Sequence, residues 1–153
     1  MEFVKTDRGM FLFQMEQKEK PLLFHILHLY PLIPAAHHRL SKTEEIPEDQ
    51  KLLEEALAEQ RAANRKQVQA MLESKSIFRK NEQGYSFSLK AGQMEWLLQV
   101  LNDVRVGSWL ALGSPRDPAE ILARLNEQTK QHYWAMEISA YFQMAIIRAT
   151  AGK

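Results

Sequence analysis

The chain has no cysteine. That absence excludes disulfides, thiolate catalysis, thiol redox sensing and cysteine-ligated metal sites, and it fits a reducing compartment. Glycine is scarce too. Its six copies form no phosphate-cradling loop. Long apolar runs are missing: the stretch Leu22 to Pro34 is interrupted by His25, His28 and Pro31, whereas a membrane span needs ~20 apolar residues. The start, Met1-Glu2-Phe3-Val4-Lys5, lacks the basic stretch and apolar run of a signal peptide. A cytoplasmic setting is therefore expected. Neither charge sign is in excess. The net charge of +1 argues against a surface that binds polyanions over its whole extent.

What remains is ordinary globular material. Hydrophobic residues make up 45% of the 153 residues, enough for one domain with a real core. Phe3 to Met15 carries an Asp-Arg-Gly turn between two apolar runs and predicts a β-hairpin. A helix is expected over Lys18 to Leu32, with Pro21 in its first turn and Pro31 near its end. Ile33 to Ile46 reads as a crossing loop. A long helix then runs from Pro47 to about Ser74. Leu53, Ala56, Leu57, Gln60, Ala63, Asn64, Val68, Met71 and Leu72 form a narrow stripe on it at three-and-four spacing.

Ile77–Lys80 and Tyr85–Leu89 flank a turn and predict a second hairpin, able to join the first in one sheet. The most apolar helix follows, Ala91 to Leu112. Met94, Leu97, Leu98, Leu101 and Val104 give one apolar face, and Trp96, Val100, Gly107 and Leu110 another, the signature of a central helix. Gly113-Ser114-Pro115 stops it, and Asp117-Pro118-Ala119-Glu120 is a capping-box restart. Ile121, Leu122 and Leu125 are expected to face the core. So are Trp134, Ile138, Tyr141, Phe142 and Ala145 of a last helix, Gln131 to Ala149. The expected fold is mainly α: a single domain over 1–153, with four to five helices and one or two short hairpins forming a small antiparallel sheet.

The run Trp96-Leu97-Leu98-Gln99-Val100-Leu101-Asn102-Asp103-Val104-Arg105-Val106, with Leu112-Gly113 nearby, resembles a bacterial family. It is domain-of-unknown-function family two-zero-one-seven. Glu19 to Leu23, Leu29 to Pro31, and Arg61, Asn64 and Val68 fit its layout loosely. Some members are described as transcription regulators under oxidative stress. Without cysteine, a thiol-switch form of that role does not carry over. The resemblance brings no enzyme activity.

Three sets of residues are candidates for function. Asn102, Asp103 and Arg105 read first as a structural polar network, because buried charges need partners; two-residue spacing puts Asp103 and Arg105 on different helix faces, so each is expected to reach a partner on another element. Their other reading is a ligand or partner pocket. His25 and His28, one turn apart, with His37, His38, Glu44 and Glu45, have metal-ligand chemistry but only a spacing match. No metal or other cofactor is expected.

The third set follows from charge. Ser41 to Gln60 holds seven acids and two bases, and Arg61 to Lys80 six bases and one acid. Arg61, Arg65, Lys66, Lys75, Arg79 and Lys80 could face a nucleic acid or a partner, in the manner of a helix and wing. They could equally complement the helix dipole. The long helix's apolar stripe could also be a homodimer seam. No serine or carboxylate falls in a nucleophile-elbow or paired-acid pattern, so an enzyme is not expected. The leading expectation is a non-catalytic interaction or regulatory module that can dimerise. A DNA-binding regulator using Arg61 to Lys80 is the alternative.

Overall fold

The computed structural model describes residues 1–33 and 47–151. The loop expected up to Ile46, with Ser41, His37, His38, Glu44 and Glu45, lies outside the described residues.

Strands β1 (Glu2–Asp7) and β2 (Met10–Met15) form the first hairpin. Arg8 (φ 53°) and Gly9 (φ 78°) are both left-handed, as a two-residue turn matched to strand twist requires. Strands β3 (Arg79–Asn81) and β4 (Gly84–Lys90) form the second. The two hairpins join through β2 and β4, so the order is β1-β2-β4-β3, antiparallel throughout. This is a larger structure than one or two short hairpins. A continuous four-stranded sheet has a whole apolar face, and it supplies one layer of the core. Phe11, Phe13, Met15, Phe87 and Leu89 are buried on that face. Phe13 stacks on Phe87 directly across the β2–β4 pair, with ring centroids 5.4 Å apart.

The described residues contain five helices. α1 (Glu19–Leu29) buries Leu23, Ile26 and Leu27. It stops three residues before the expected end, because Pro31 has no N–H to continue the ladder and Tyr30 turns extended. α2 (Pro47–Glu73) buries Asn64, Val68 and Met71 on the core side of its C-terminal half, while Leu52 near its start stays exposed. α3 (Ala91–Ala111) buries residues on both expected faces: Met94, Leu97, Leu101 and Val104 on one, Trp96, Val100 and Gly107 on the other. α4 (Pro118–Arg124) is short and buries no residue. α5 (Lys130–Ala151) buries Ala135, Ser139, Phe142, Ala145, Ile146 and Ala149.

α3 and α5 share the most extensive helix–helix contact. The small residues Ala135, Ser139 and Ala149 on α5, and Gly107 and Ser108 on α3, let the interior fill closely. Among the described helices none is long and apolar enough to cross a membrane.

Two details differ from the sequence expectation. The capping box before α4 is only half made: Asp117 accepts from the Glu120 amide at 2.9 Å, but Glu120 reaches past the cap to the Arg116 amide at 2.7 Å. Arg124 closes the end of α3 from outside, donating to the Leu112 and Gly113 carbonyls at 3.1 and 2.6 Å. The second difference is in side-chain orientation. Leu122, expected inside, is 70% exposed, and Trp134 and Tyr141 are 59% and 51% exposed. Phe142 and Ala145 are buried as expected, and Ile146, Ala135 and Ala149 complete the buried face of α5.

Candidate functional site

Asp103 stands half-buried on α3, one turn before Gly107. Its Oδ1 accepts from the Leu32 amide at 2.6 Å and the Ile33 amide at 3.3 Å. From α2, Arg61 donates to the Ile33 carbonyl at 2.8 Å. Asn64 donates to the Tyr30 hydroxyl at 3.3 Å, and Gln60 to Gln99 at 2.9 Å. These side chains line a cleft of about 210 Å³ with Leu57 and Asn102. Burial raises the Tyr30 pKa, the Asn64 hydrogen bond opposes that, and the Asp103 carboxylate adds to it, so the phenol stays protonated. The structure thus brings Arg61 and Asp103 together, though they come from different candidate sets. Their contacts are with one backbone segment, residues 30–33, which they clamp against α2 and α3.

Asn102 also lines the cleft, but the other members of both sets lie elsewhere. Arg105 lies apart from Asp103, as their spacing implied, but it reaches no other element in doing so: it donates at 2.8 Å to Asn102, one turn back on the same helix. Arg65, Lys66, Lys75, Arg79 and Lys80 are exposed. Arg79 pairs opposite Ser86 and Lys80 opposite Tyr85, so successive side chains of this edge strand leave opposite sheet faces. Arg61 is withdrawn from that surface by its bond to Ile33. His25 and His28 are exposed on α1, with His28 Nδ1 held 2.7 Å from the Phe24 carbonyl. Among the described residues, no three histidine or carboxylate side chains converge on one point.

The sequence did not single out a second site, between α1 and α5. Leu22 of α1 (41% exposed) and Trp134, Ile138 and Tyr141 of α5 line a groove of about 440 Å³. Glu16, Lys18 and Glu137 rim it, and the buried Glu19 lies at its base. On α5 the apolar residues follow i, i+4, i+7 spacing, a stripe roughly 10 Å long. Met144 and Ile147, farther along α5 and outside the groove, are exposed as well.

At the groove's floor lies a buried ion pair. The Met1 amino group contacts Glu19 and the Tyr141 hydroxyl, and that hydroxyl donates to Glu19 at 2.5 Å. The Glu16 amide donates to Glu19 as well, at 2.8 Å. Burial on its own would raise the Glu19 pKa. The amino group, the Tyr141 hydroxyl and the Glu16 amide outweigh it and hold the pKa below the usual carboxylate range. Burial, then the Glu19 carboxylate, pushes Tyr141 up to about 12, so it remains a donor.

A pH dependence follows from that depressed pKa. A carboxylate favoured in the folded state contributes stability above its unfolded pKa of ~4.3 and loses it as pH falls through the folded value. Glu19→Gln is therefore expected to melt below the wild type at neutral pH. The gap should close as pH drops below ~4. Melting curves from pH 7 to 3 test this, and a constant gap would contradict it.

Comparison with family models, with curated proteins and with solved structures finds no match for this chain.

Proposed function

We propose that this protein is a non-catalytic interaction module, working in a bacterial cytoplasm, whose docking surface is the groove between α1 and α5. The single observation that carries this reading is the exposure of Leu22, Trp134 and Tyr141 side by side around one concavity. Scattered exposed apolar residues are normal on protein surfaces, but a contiguous set that includes a tryptophan marks an interaction site. Tryptophan and tyrosine are also the residues that dominate binding energy when a partner covers them. The polar cleft at Tyr30, Arg61 and Asp103 is read as structural, since its groups are engaged with the chain's own backbone and side chains.

We further infer membership of domain-of-unknown-function family two-zero-one-seven. The support is the Leu101–Arg105 run. The DNA-binding alternative rests on the exposure of Arg65, Lys66, Lys75, Arg79 and Lys80. The withdrawal of Arg61 and the divergence of Arg79 and Lys80 weigh against it.

The test is site-specific photocrosslinking in the native cell. A photoreactive residue replaces Trp134 or Tyr141 in two variants, and Lys66 in a third. Discrete protein adducts are expected from positions 134 and 141 and not from 66. Adducts only from position 66, or none from the groove, would reject this reading.

A further inference from the structure

The rim of the groove has a definite charge. Glu137 projects from α5 between Trp134 and Tyr141 in sequence, and it has no ion-pair partner among the described residues. Glu16 lies on the opposite side, from the β2–α1 turn. Its contact with Lys18 at 3.3 Å joins two largely solvated side chains, and such exposed pairs are weak. Glu19 is spent on Met1 and Tyr141. Glu2 adds further negative potential at the Tyr141 ring. The surface is thus an apolar stripe with carboxylates on both banks and one loosely held cation.

That combination selects among occupants. Anionic membrane surfaces and nucleic-acid phosphates are attracted to lysine and arginine and repelled by these carboxylates. An apolar segment carrying cations is matched twice. Its apolar side covers Leu22, Trp134, Ile138 and Tyr141. Its ammonium or guanidinium groups reach Glu16 and Glu137 or lie over the two aromatic faces. An amphipathic helix can lay the apolar face of its own i, i+4, i+7 residues into such an apolar groove.

We propose that the α1–α5 groove binds a basic amphipathic helix of a partner protein, with Trp134 and Tyr141 as apolar anchors and Glu16 and Glu137 as counter-charges. This rests on the reading of the groove as a docking surface and adds the partner's chemistry to it.

Two synthetic helical peptides of about 15 residues are the probes. One has leucines at i, i+4, i+7 spacing with lysines between them; the other has glutamates in place of lysines. Calorimetric titration into the full chain is expected to show the lysine peptide binding about ten-fold tighter or more than the glutamate peptide. Trp134→Ala is expected to weaken the lysine peptide by about ten-fold or more. Glu16→Lys with Glu137→Lys is expected to invert the preference between the peptides. All three positions are on the surface, and unchanged melting curves would show that the variants fold.

Equal affinity for both peptides would overturn the proposal while leaving the groove a docking surface. Lysine-peptide binding that Trp134→Ala leaves intact would put the contact elsewhere and overturn it too. Failure of both peptides to bind would overturn the proposed partner class, and crosslinking from position 134 then judges the groove on its own. Self-association that Trp134→Ala abolishes, seen by light scattering, would make the occupant a second copy and overturn the proposal as well.

Discussion

Gly84→Ala is expected to destabilise the protein by about 2–6 kcal/mol, the largest effect of any single methyl addition among its described glycines. Two costs combine. Gly84 sits at φ +131°, a conformation that L side chains rarely adopt. An added Cβ would also stand 2.2 Å from the Met15 carbonyl oxygen, 2.7 Å from the Gln17 amide nitrogen and 2.8 Å from the Glu16 carbonyl carbon. All three neighbours are backbone, at the point where β2 leaves the sheet, so none can swing aside by changing rotamer. The melting temperature should fall by roughly 5–20 °C for a domain of this size. Gly92→Ala is the control. It lies in the first turn of α3 with nothing near its would-be Cβ, and it should gain about 0.4–1 kcal/mol through the unfolded state. Urea denaturation of both variants measures the contrast. Indistinguishable midpoints would show that the β3–β4 turn does not rest on the Met15–Gln17 backbone.

The second large effect concerns the clamp on residues 30–33. A Cβ on Gly107 would come 2.4 Å from the Leu32 Cβ and 2.9 Å from the Leu32 carbonyl carbon. Gly107→Ala must push that segment off α3, an overpacking cost of about 1–3 kcal/mol. Moving it also stretches the bonds from the Leu32 and Ile33 amides to Asp103. Asp103→Ala removes the acceptor outright and leaves both amides short of a partner, at about 1–3 kcal/mol each if they stay dry. Because both substitutions act on the same few atoms, the double variant should lose less than the sum of the singles. A coupling of about 0.5–3 kcal/mol is expected in a double-mutant cycle. Strict additivity would mean that Asp103 and Gly107 do not share the segment.

These two glycines also mark how far the chain could be read in advance. Both hairpins were legible because turn chemistry is local: Arg8-Gly9 and Gly84 sit between alternating runs. The central helix was legible because apolar residues on two faces can only mean burial on two sides. The clamp was half legible. A glycine in the middle of an apolar helix signals close approach of something, but Gly107 gave no hint that the neighbour was Leu32. Arg61 was misleading for a physical reason. Its partner is a backbone carbonyl, and no side-chain pattern advertises one. The separation of Asp103 from Arg105 was legible from their two-residue spacing, but Arg105 turns back to Asn102 on its own helix instead of reaching another element as Asp103 does.

The groove was not legible at all. Trp134, Ile138 and Tyr141 repeat at the spacing of a core face, and they read the same whether that face is covered or bare. Phe142, Ile146 and the alanines around them form a competing face a fraction of a turn away. Which face turns inward depends on how α5 docks against α3, its most extensive helix–helix contact. Only the rim carboxylates offered a hint, since Glu16 and Glu137 sit poorly beside a buried stripe.

Helix α4 has a consequence of a different kind. It buries none of its seven residues and is tied down by polar contacts: the Asp117 cap, the Arg124 bonds to Leu112 and Gly113, and the Thr129 hydroxyl on the Arg124 carbonyl at 2.7 Å. Each such contact is worth only about 0.5–1.5 kcal/mol. The segment between α3 and α5 can therefore open while the core stays shut, and its amides should exchange with deuterium long before those of either flanking helix. Where backbone yields so cheaply, foreign sequence is tolerated. A fluorescent domain spliced in after Leu122 would report on the protein in cells without touching the sheet, the clamp or the α1–α5 groove.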